Sequence, residues 1–355
     1  MKAVFRVDAA SHIGTGHVMR CLTLAEAMRE KGFEVQFISR LFQGHMLDKI
    51  RSAGFNTLSL SSTSTPLAPL NQQDYPSYKN WLGTSWQNDA EETLSLMDTP
   101  CDWLVVDHYA LDNQWEKKLR SKAKHILAID DLADRQHDCE LILDQNVQLP
   151  GKGDYKNLTP ESTECLLGTE YCLLRPEFQC SYPKPPSDKF KVLLFMGGAD
   201  ASSNSLKILS ELKAVEALEL SVLIQSIHPD YPIIKEMCAR FGHECLTESH
   251  NMAELIALHN AAIIACGFVS YETAALNIPA LLIPLSDIQN QVADRLVELG
   301  TGIKIMPESL NTQQLVKSIE QLKNLDTDHQ LAFQCDGTDK VVKAMLEISN
   351  RDFNP

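Results

Sequence analysis

The sequence predicts an α/β protein of two doubly wound, Rossmann-like domains with a ligand cleft between them. Three observations predict this fold class. The 355 residues exceed the roughly 100–200 residues of one typical domain. Short apolar runs alternate with helical patterns in both halves of the chain. A proline-rich stretch separates the halves, and proteins of this organisation usually bind their ligand between the domains.

In the first half, apolar runs separated by helical patterns predict the strands of a parallel sheet. The predicted strands are residues 4–7, 34–39, 103–106, 126–129 and 141–143. The pattern at 18–31 predicts the first helix, and the stretch at 89–97 is typical of a capped helix start. Residues 59–69 have the composition of a loop.

A linker is predicted at residues 181–187, where three prolines in four positions disfavour both helix and sheet interior. We therefore expect an N-terminal domain at 1–180 and a C-terminal domain at 188–355. The alternation restarts after the linker. The predicted strands there are 190–196, 218–225, 263–265 and 280–284, and the predicted helices begin near 202, 231 and 271.

Charge and hydropathy argue against two classes of partner. The formal charge of −15, from 32 basic and 47 acidic residues, disfavours an electrostatic grip on nucleic acid. The longest apolar stretches, at 261–265 and 278–285, are far shorter than the ~20 residues of a membrane-spanning helix. The sequence therefore predicts no nucleic-acid binding and no membrane insertion.

The N-terminus and the cysteines indicate the compartment. Arg6 and Asp8 interrupt the first apolar run, so it does not have the pattern of a signal peptide. The ten cysteines include no CxxC pair, which argues against a zinc site and fits reduced thiols. We expect a cytoplasmic protein that uses no metal and no cofactor.

The stretch GTGHVMRC, from Gly14 to Cys21, lies between the first predicted strand and the first helix. Gly14 and Gly16 allow the backbone to approach a ligand closely. Met19 stands where a dinucleotide-binding GxGxxG motif needs its last glycine. His17 lies at the positive end of the helix, which favours the neutral base form of imidazole. Taken alone, the turn is equally consistent with a histidine that only caps the helix.

Polar side chains also follow two later strands. Asp107, His108 and Tyr109 come directly after one predicted strand, where ligand contacts cluster in parallel sheets, although a structural network is the alternative. Asp130 and Asp131 follow the next strand. Paired carboxylates can bind Mg²⁺, but they also cap helices, and we favour capping here.

Glycines predict an anion site in the second half. Gly197 and Gly198 follow a predicted strand, and Ser202 and Ser203 are the candidate caps of the next helix. A glycine turn before a helix forms a nest of backbone amides that suits an anion.

A second helix start lies farther on, at CGFVSYE. Gly267, Val269 and Ser270 occupy positions at which backbone amides and a hydroxyl can hold a phosphate. Glu272, early in the helix, can accept hydrogen bonds from a ribose diol. The alternative is that Glu272 is an ordinary solvated helix residue.

Eight short motifs occur in order between residue 6 and about residue 300: RVD, GTGHVMRCL, VDHY, IDDLA, LDQN, LRPEF, MGGAD and NQ. Together they resemble the UDP-sugar hydrolases of pseudaminic acid biosynthesis, which act on UDP-2,4-diacetamido-2,4,6-trideoxy-β-L-altropyranose. The fold of that family is similar to that of the MurG-like, GT-B type glycosyltransferases. The resemblance implies a UDP-sugar substrate and a metal-independent, inverting hydrolysis with C–O cleavage.

The resemblance also implies a role for each site residue. His17 corresponds to the catalytic base. The positions implied for substrate binding are Asp8, Gly14, Gly16, Arg20, His108, Tyr109, Arg175 and Asn290, with Tyr109 and Asn290 lining the sugar site. The positions implied for UDP are Gly197, Gly198, Gly267, Val269, Ser270 and Glu272.

Further expectations concern orientation and assembly. Asp8, near His17 in sequence, is the candidate to orient the imidazole. A terminal helix at 338–348 suits the GT-B habit of packing back on the N-terminal domain. We expect a monomer or a weak oligomer. The alternatives are a GT-B glycosyltransferase using a UDP-N-acetylated sugar, a hydrolase of a stereoisomeric UDP-sugar, and a nucleotide-sugar-binding protein without activity.

Overall fold

The computed structural model describes residues 1–62, 78–146, 154–183, 188–198, 200, 202–213, 215–325 and 335–351. The chain divides into two compact units, the first made of Met1–Leu174 and Asp336–Pro355 and the second of Arg175–Cys335. The stretch at 175–180, which the sequence placed in the first domain, groups with the second unit. Its Glu177 carboxylate accepts a hydrogen bond from the Met252 amide at 3.0 Å. Residues 184–187 of the expected linker lie outside the described residues.

The regular elements are as follows. The strands are β1 (Lys2–Val7), β2 (Glu34–Arg40), β3 (Asn56–Leu60), β4 (Cys101–Asp107), β5 (Ala123–Ile129), β6 (Leu141–Asp144), β7 (Glu164–Leu167), β8 (Phe190–Phe195), β9 (Leu218–Leu223), β10 (Glu244–Leu246), β11 (Ala261–Ala265), β12 (Ala280–Ile283) and β13 (Gly302–Lys304). The helices are α1 (Gly16–Glu30), α2 (Leu47–Ser52), α3 (Trp86–Leu96), α4 (Asn113–Leu119), α5 (Asn204–Leu212), α6 (Tyr231–Phe241), α7 (Met252–Ala257), α8 (Val269–Ala275), α9 (Asp287–Glu298), α10 (Thr312–Lys323) and α11 (Gly337–Arg351).

The sheet of the first unit has the order β3-β2-β1-β4-β5-β6-β7, and its paired strands are parallel. The predicted strands of this half are confirmed as β1, β2, β4, β5 and β6. Strands β1 and β4 are buried along nearly their whole length because helices cover both faces of a parallel sheet. Val7 pairs with Asp107, so the carboxyl ends of β1 and β4 lie side by side. This register brings the polar residues that follow both strands to one edge.

Two expectations for this half are wrong in detail. Ser59 and Leu60 complete β3 rather than beginning a loop, and residues 63–69 of that expected loop lie outside the described residues. The helix expected at 89–97 begins earlier, with Ser85 as its cap accepting from the Asn88 amide. Asp89 does not cap this helix, because its buried carboxylate binds Arg6 at 2.7 Å.

The terminal helix α11 belongs to the first unit. Its residues Val341 and Met345 are buried in the same core cluster as residues of α1. The Trp103 indole donates to the Ser349 hydroxyl at 2.8 Å. The start of α11 approaches the backbone around Tyr171 and Cys172 closely. The helix therefore closes one face of the first sheet.

The second unit holds a parallel sheet of order β10-β9-β8-β11-β12-β13. The predicted strands are confirmed as β8, β9, β11 and β12, and α6 covers the predicted residues 231–241. The short edge strands β10 and β13 and the helices α7, α9 and α10 were not predicted. Two parallel α/β units agree with the predicted fold class. None of the helices within the described ranges has the length and apolarity to cross a membrane.

The contact at the start of α11 generates a stability prediction. Alanine normally favours a helix over glycine by about 1 kcal/mol. At Gly337, however, a Cβ would lie 2.5 Å from the Cys172 carbonyl oxygen. We therefore expect Gly337→Ala to lower the unfolding free energy of the first unit by about 1–3 kcal/mol. All four tryptophans lie in this unit, so urea unfolding followed by tryptophan emission measures it.

Gly267→Ala is the matched control, because a Cβ there would meet no atom within 4 Å, and its unfolding is followed by far-UV circular dichroism because Gly267 lies in the second unit. Unchanged or increased stability of the Gly337→Ala variant would contradict the described docking of α11.

Candidate functional site

The turn between β1 and α1 positions His17. Gly14 has a φ of +86°, and its amide donates to the Ala10 carbonyl at 2.8 Å, which closes a tight loop after β1. Helix α1 begins at Gly16, so His17 lies in its first turn and is 8% exposed. The imidazole bonds a carboxylate from the neighbouring strand rather than the amides of its own helix.

That carboxylate is Asp107, the last residue of β4. His17 Nδ1 lies 2.7 Å from Asp107 Oδ1. An ionised carboxylate only accepts hydrogen bonds, so Nδ1 carries the proton and donates. In the neutral imidazole this fixes the lone pair on Nε2, the ring nitrogen that can accept a proton. The expectation that Asp8 orients the imidazole is wrong, because Asp107 holds this position.

Arg20, one turn further along α1, binds the same carboxylate. Its Nε and Nη2 donate to the two Asp107 oxygens, each at 2.7 Å. Burial alone would raise the pKa of Asp107, but Arg20 and His17 outweigh it and hold the pKa well below its ordinary value. Asp107 is therefore a permanent negative charge beside His17.

Asp131 joins the site from the end of β5. Its carboxylate accepts from Arg20 Nη1 at 2.8 Å and from the Tyr109 hydroxyl at 2.5 Å. The side-chain Nδ2 of Asn146 also donates to the Asp131 carboxylate, at 3.2 Å. No helix begins at Asp130 or Asp131, so the capping interpretation is wrong. Within the described ranges, no three His, Cys, Asp or Glu side chains come together as a metal site.

Aromatic rings surround the imidazole. The Tyr109 ring meets His17 edge-on at 4.7 Å between centroids, and Trp81 stacks on Tyr109 at 5.5 Å. Burial raises the pKa of Tyr109 well above its ordinary value, so its hydroxyl stays protonated. Trp81 was missed by sequence reasoning. It follows a single 3₁₀ turn, Tyr78–Asn80, where no hydrophobic period marks it.

Asp8 and His108 lie beneath this site in a buried network. Asp8 Oδ1 accepts from the Arg40 amide and pairs with Arg6 Nη1, both at 2.7 Å. His108 Nδ1 accepts from the Ala110 amide, and its Nε2 lies 3.5 Å from Asp8 Oδ2. Burial lowers the pKa of His108 to about 4, so this imidazole is neutral at pH 7. Substrate contact by either residue stays a prediction.

In the second unit, Asp200 occupies the start of α5. Its carboxylate accepts from the Asn204 and Ser205 amides at 3.0 and 2.8 Å. The expectation that Ser202 and Ser203 cap this helix is wrong, since the carboxylate already satisfies those amides and the Ser203 side chain makes no cap bond. Gly197 has a φ of +88°, a conformation that glycine adopts without strain. Anion binding at Gly197 and Gly198 stays a prediction.

Glu272 lies in the first turn of α8 and is 6% exposed, so it is not the solvated residue of the alternative interpretation. Its Oε1 accepts from Arg175 Nη2 at 2.7 Å. Burial raises the pKa of Glu272 although Arg175 opposes the shift. At the same helix start, the Ser270 hydroxyl donates to the Gly267 carbonyl at 2.6 Å. Val269 is buried beside them.

The last expected sugar contact, Asn290, lies on α9, where its side-chain oxygen accepts from Lys304 Nζ at 3.1 Å. The structure thus joins His17, Arg20 and Tyr109 through two aspartates in the first unit. In the second unit it joins Arg175 to Glu272.

The chain is similar in sequence to one characterised hydrolase. No protein-family model matches the chain. The UDP-2,4-diacetamido-2,4,6-trideoxy-beta-L-altropyranose hydrolase of Campylobacter jejuni is 27% identical over 279 residues, covering 78% of this chain and 89% of the relative. The predicted resemblance to that hydrolase is thereby confirmed as a similarity in sequence.

The fold of the chain is similar to that of solved glycosyltransferase structures. The chain matches MurG of Acinetobacter baumannii with a TM-score of 0.62 and 13% identity, over 98% of this chain and 99% of the other. It matches the calicheamicin glycosyltransferase CalG4 with a TM-score of 0.64 and 14% identity, over 98% of both chains. These likenesses confirm the predicted two-domain α/β fold of GT-B glycosyltransferases.

The network next to the site predicts a pH dependence. His137 Nδ1 lies 2.7 Å from Glu116 Oε1, and its Nε2 lies 3.8 Å from Asp130 Oδ2. Burial opposes the charge of His137, but the two carboxylates outweigh it and raise its pKa to about 9.

A histidine pKa raised on folding stabilises the folded state fully below the unfolded value of ~6.5, and this stabilisation is lost as the pH rises through 9. We expect His137→Gln to have a lower unfolding free energy than the wild type at pH 6. This difference between the two proteins should shrink by about 3 kcal/mol between pH 6 and pH 9. Urea unfolding across this range measures it. The exposed His250, changed to Gln, is the control, and a pH-independent difference for His137→Gln would contradict the assignment.

Proposed function

We propose that this protein is a UDP-sugar hydrolase in which His17 is the general base. The observation that carries the proposal is the hydrogen bond from His17 Nδ1 to the buried Asp107 carboxylate, at the turn between β1 and α1. The sequence similarity to the Campylobacter jejuni hydrolase, which spans 89% of that relative, supports the substrate class.

The chemistry follows from the tautomer. A water molecule within ~3 Å of His17 Nε2 gives up a proton as its oxygen bonds to the anomeric carbon. The bond from that carbon to the UDP oxygen breaks, and its electron pair leaves with UDP. Asp107 stabilises the imidazolium that forms, and the proton then passes to solvent. Attack opposite to the leaving group inverts the anomeric centre and cleaves the C–O bond.

A single base is enough because UDP is a weakly basic leaving group. Its departure needs charge stabilisation rather than a second carboxylic acid, in contrast to ordinary glycosidases. We assign this stabilisation to donors of the second unit, at Gly197, Gly198, Gly267, Val269 and Ser270, without a metal. The start of α5 contributes less to this charge stabilisation than its sequence suggested, since its first amides already donate to the Asp200 carboxylate.

The remaining roles form part of the same proposal. Glu272 accepts hydrogen bonds from the uridine ribose, and its buried pairing with Arg175 holds the carboxylate in place. Tyr109 and Asn290 hold the sugar. The substrate is UDP-2,4-diacetamido-2,4,6-trideoxy-β-L-altropyranose or a stereoisomer, and the reaction is a step of pseudaminic acid biosynthesis in the cytoplasm. The protein acts as a monomer or a weak oligomer.

A second candidate is a glycosyltransferase that uses a UDP-N-acetylated sugar. The observation that favours this alternative is the fold, which the chain shares with a calicheamicin glycosyltransferase and with MurG. The two functions differ in the acceptor, since a hydrolase releases UDP with water alone.

The first prediction concerns the base. We expect His17→Asn to lower kcat for UDP release by about 10²–10⁴-fold, because general base catalysis contributes that much. UDP affinity should stay near the wild-type value, measured by calorimetry. His45→Asn, a half-buried histidine elsewhere in the first unit, is the control. Near wild-type turnover would rule out the base assignment, and loss of UDP binding would assign His17 a structural role.

The second prediction concerns the reaction. With water as the only acceptor, we expect free UDP and a free sugar whose first-formed anomer is inverted, observed by NMR. In H₂¹⁸O the label should enter the sugar and not UDP. Release that depends on an added acceptor would favour the glycosyltransferase. Label in UDP would contradict C–O cleavage.

A further inference from the structure

Trp81 and Tyr109 form a flat aromatic wall beside His17. Their rings are nearly parallel, with an interplanar angle of 26° and 5.5 Å between centroids. The imidazole meets both rings edge-on, at 4.7 Å from Tyr109 and 6.2 Å from Trp81, each at 81°. The wall therefore stands perpendicular to the imidazole whose Nε2 is available as a base. Both rings of the wall lie within 6.2 Å of the imidazole, measured between centroids.

The two members of the wall differ in their polar atoms. The Tyr109 hydroxyl is engaged with Asp131 at 2.5 Å. The Trp81 indole nitrogen is buried and has no hydrogen-bond acceptor among the residues that the structure describes. A buried N–H without an acceptor costs about 1–3 kcal/mol, so native proteins seldom retain one without a reason. Trp81 as a whole is partly exposed. The backbone amide of Trp81 donates to the Tyr78 carbonyl at 3.1 Å, which anchors the residue.

The proposed substrate has the matching chemistry. A 2,4-diacetamido-2,4,6-trideoxy sugar carries two amide carbonyls, two acetyl methyl groups and a methyl group at C6 in place of a hydroxyl. It is more apolar than N-acetylglucosamine, which keeps hydroxyls at C4 and C6. Aromatic faces pack against such apolar groups, and one placed donor then fixes the orientation.

We propose that Trp81 is a specificity-determining residue, a role that rests on the proposed function. Its ring packs against the acetamido and methyl groups of the sugar, and its Nε1–H donates to an acetamido carbonyl. His17 then receives the anomeric carbon in a fixed orientation. The wall selects the diacetamido-trideoxy sugar against sugars that present hydroxyls at the same positions.

Trp81→Phe and Trp81→Ala separate the two contacts. Phenylalanine keeps the flat ring and removes the donor, whereas alanine removes both. We expect Trp81→Ala to lower kcat/KM for the diacetamido-trideoxy UDP-sugar about tenfold or more, and Trp81→Phe to lower it less. The preference for this sugar over UDP-N-acetylglucosamine should fall as well, while UDP affinity stays unchanged. Trp86→Phe, at the partly buried first position of α3, is the matched control.

Tryptophan emission gives a readout independent of turnover. We expect the diacetamido-trideoxy UDP-sugar to change the emission of the wild type and of Trp86→Phe, and to leave that of Trp81→Phe unchanged. An emission change that persists in Trp81→Phe, or an unaltered preference in Trp81→Ala, would overturn the proposal. Failure of the wild type to release UDP from either sugar would contradict the proposed function. The emission measurement would then still decide the role of Trp81.

Discussion

The buried carboxylate of Asp107 must be compensated, and the side chains that compensate it are those of the candidate site. A charge removed from water is tolerated only when it is paired and hydrogen-bonded. Arg20 supplies the opposite charge, and His17 supplies the second donor. Arg20 in turn reaches Asp131, which holds the Tyr109 hydroxyl. One buried charge at the end of β4 thus fixes the tautomer of His17 and the position of the ring beside it.

The second unit uses buried carboxylates differently. Asp200 satisfies the amides at the start of α5, which removes them from the set of donors available to an anion. Glu272 pairs with Arg175, whose guanidinium also lies over the Phe178 ring. Arg175 and Glu177 of the LRPEF motif therefore both bind helices of the second unit. This explains physically why 175–180 groups with the second unit.

The sequence predicted the parts of the fold that depend on local pattern. Short apolar runs mark β1 and β4, and His17 stands out because two glycines precede it at a strand end. The edge strands β3, β7 and β13 escaped prediction because three to five residues, partly exposed, show no clear period. The role of Asp107 could not be predicted, since it lies 90 residues from His17 and only the pairing of β1 with β4 brings them together. Trp81 had no local signal at all, because its importance comes from stacking on Tyr109.

Helix α11 has a consequence for the order of folding. The chain completes the second unit before it returns to the first, so the first unit is discontinuous and the second is a continuous insertion within it. During synthesis the N-terminal sheet emerges first but lacks Val341, Met345 and Ser349 until α11 has left the ribosome. The second unit has its whole sequence available earlier. The half of the protein that is translated first is therefore the half whose core is completed last.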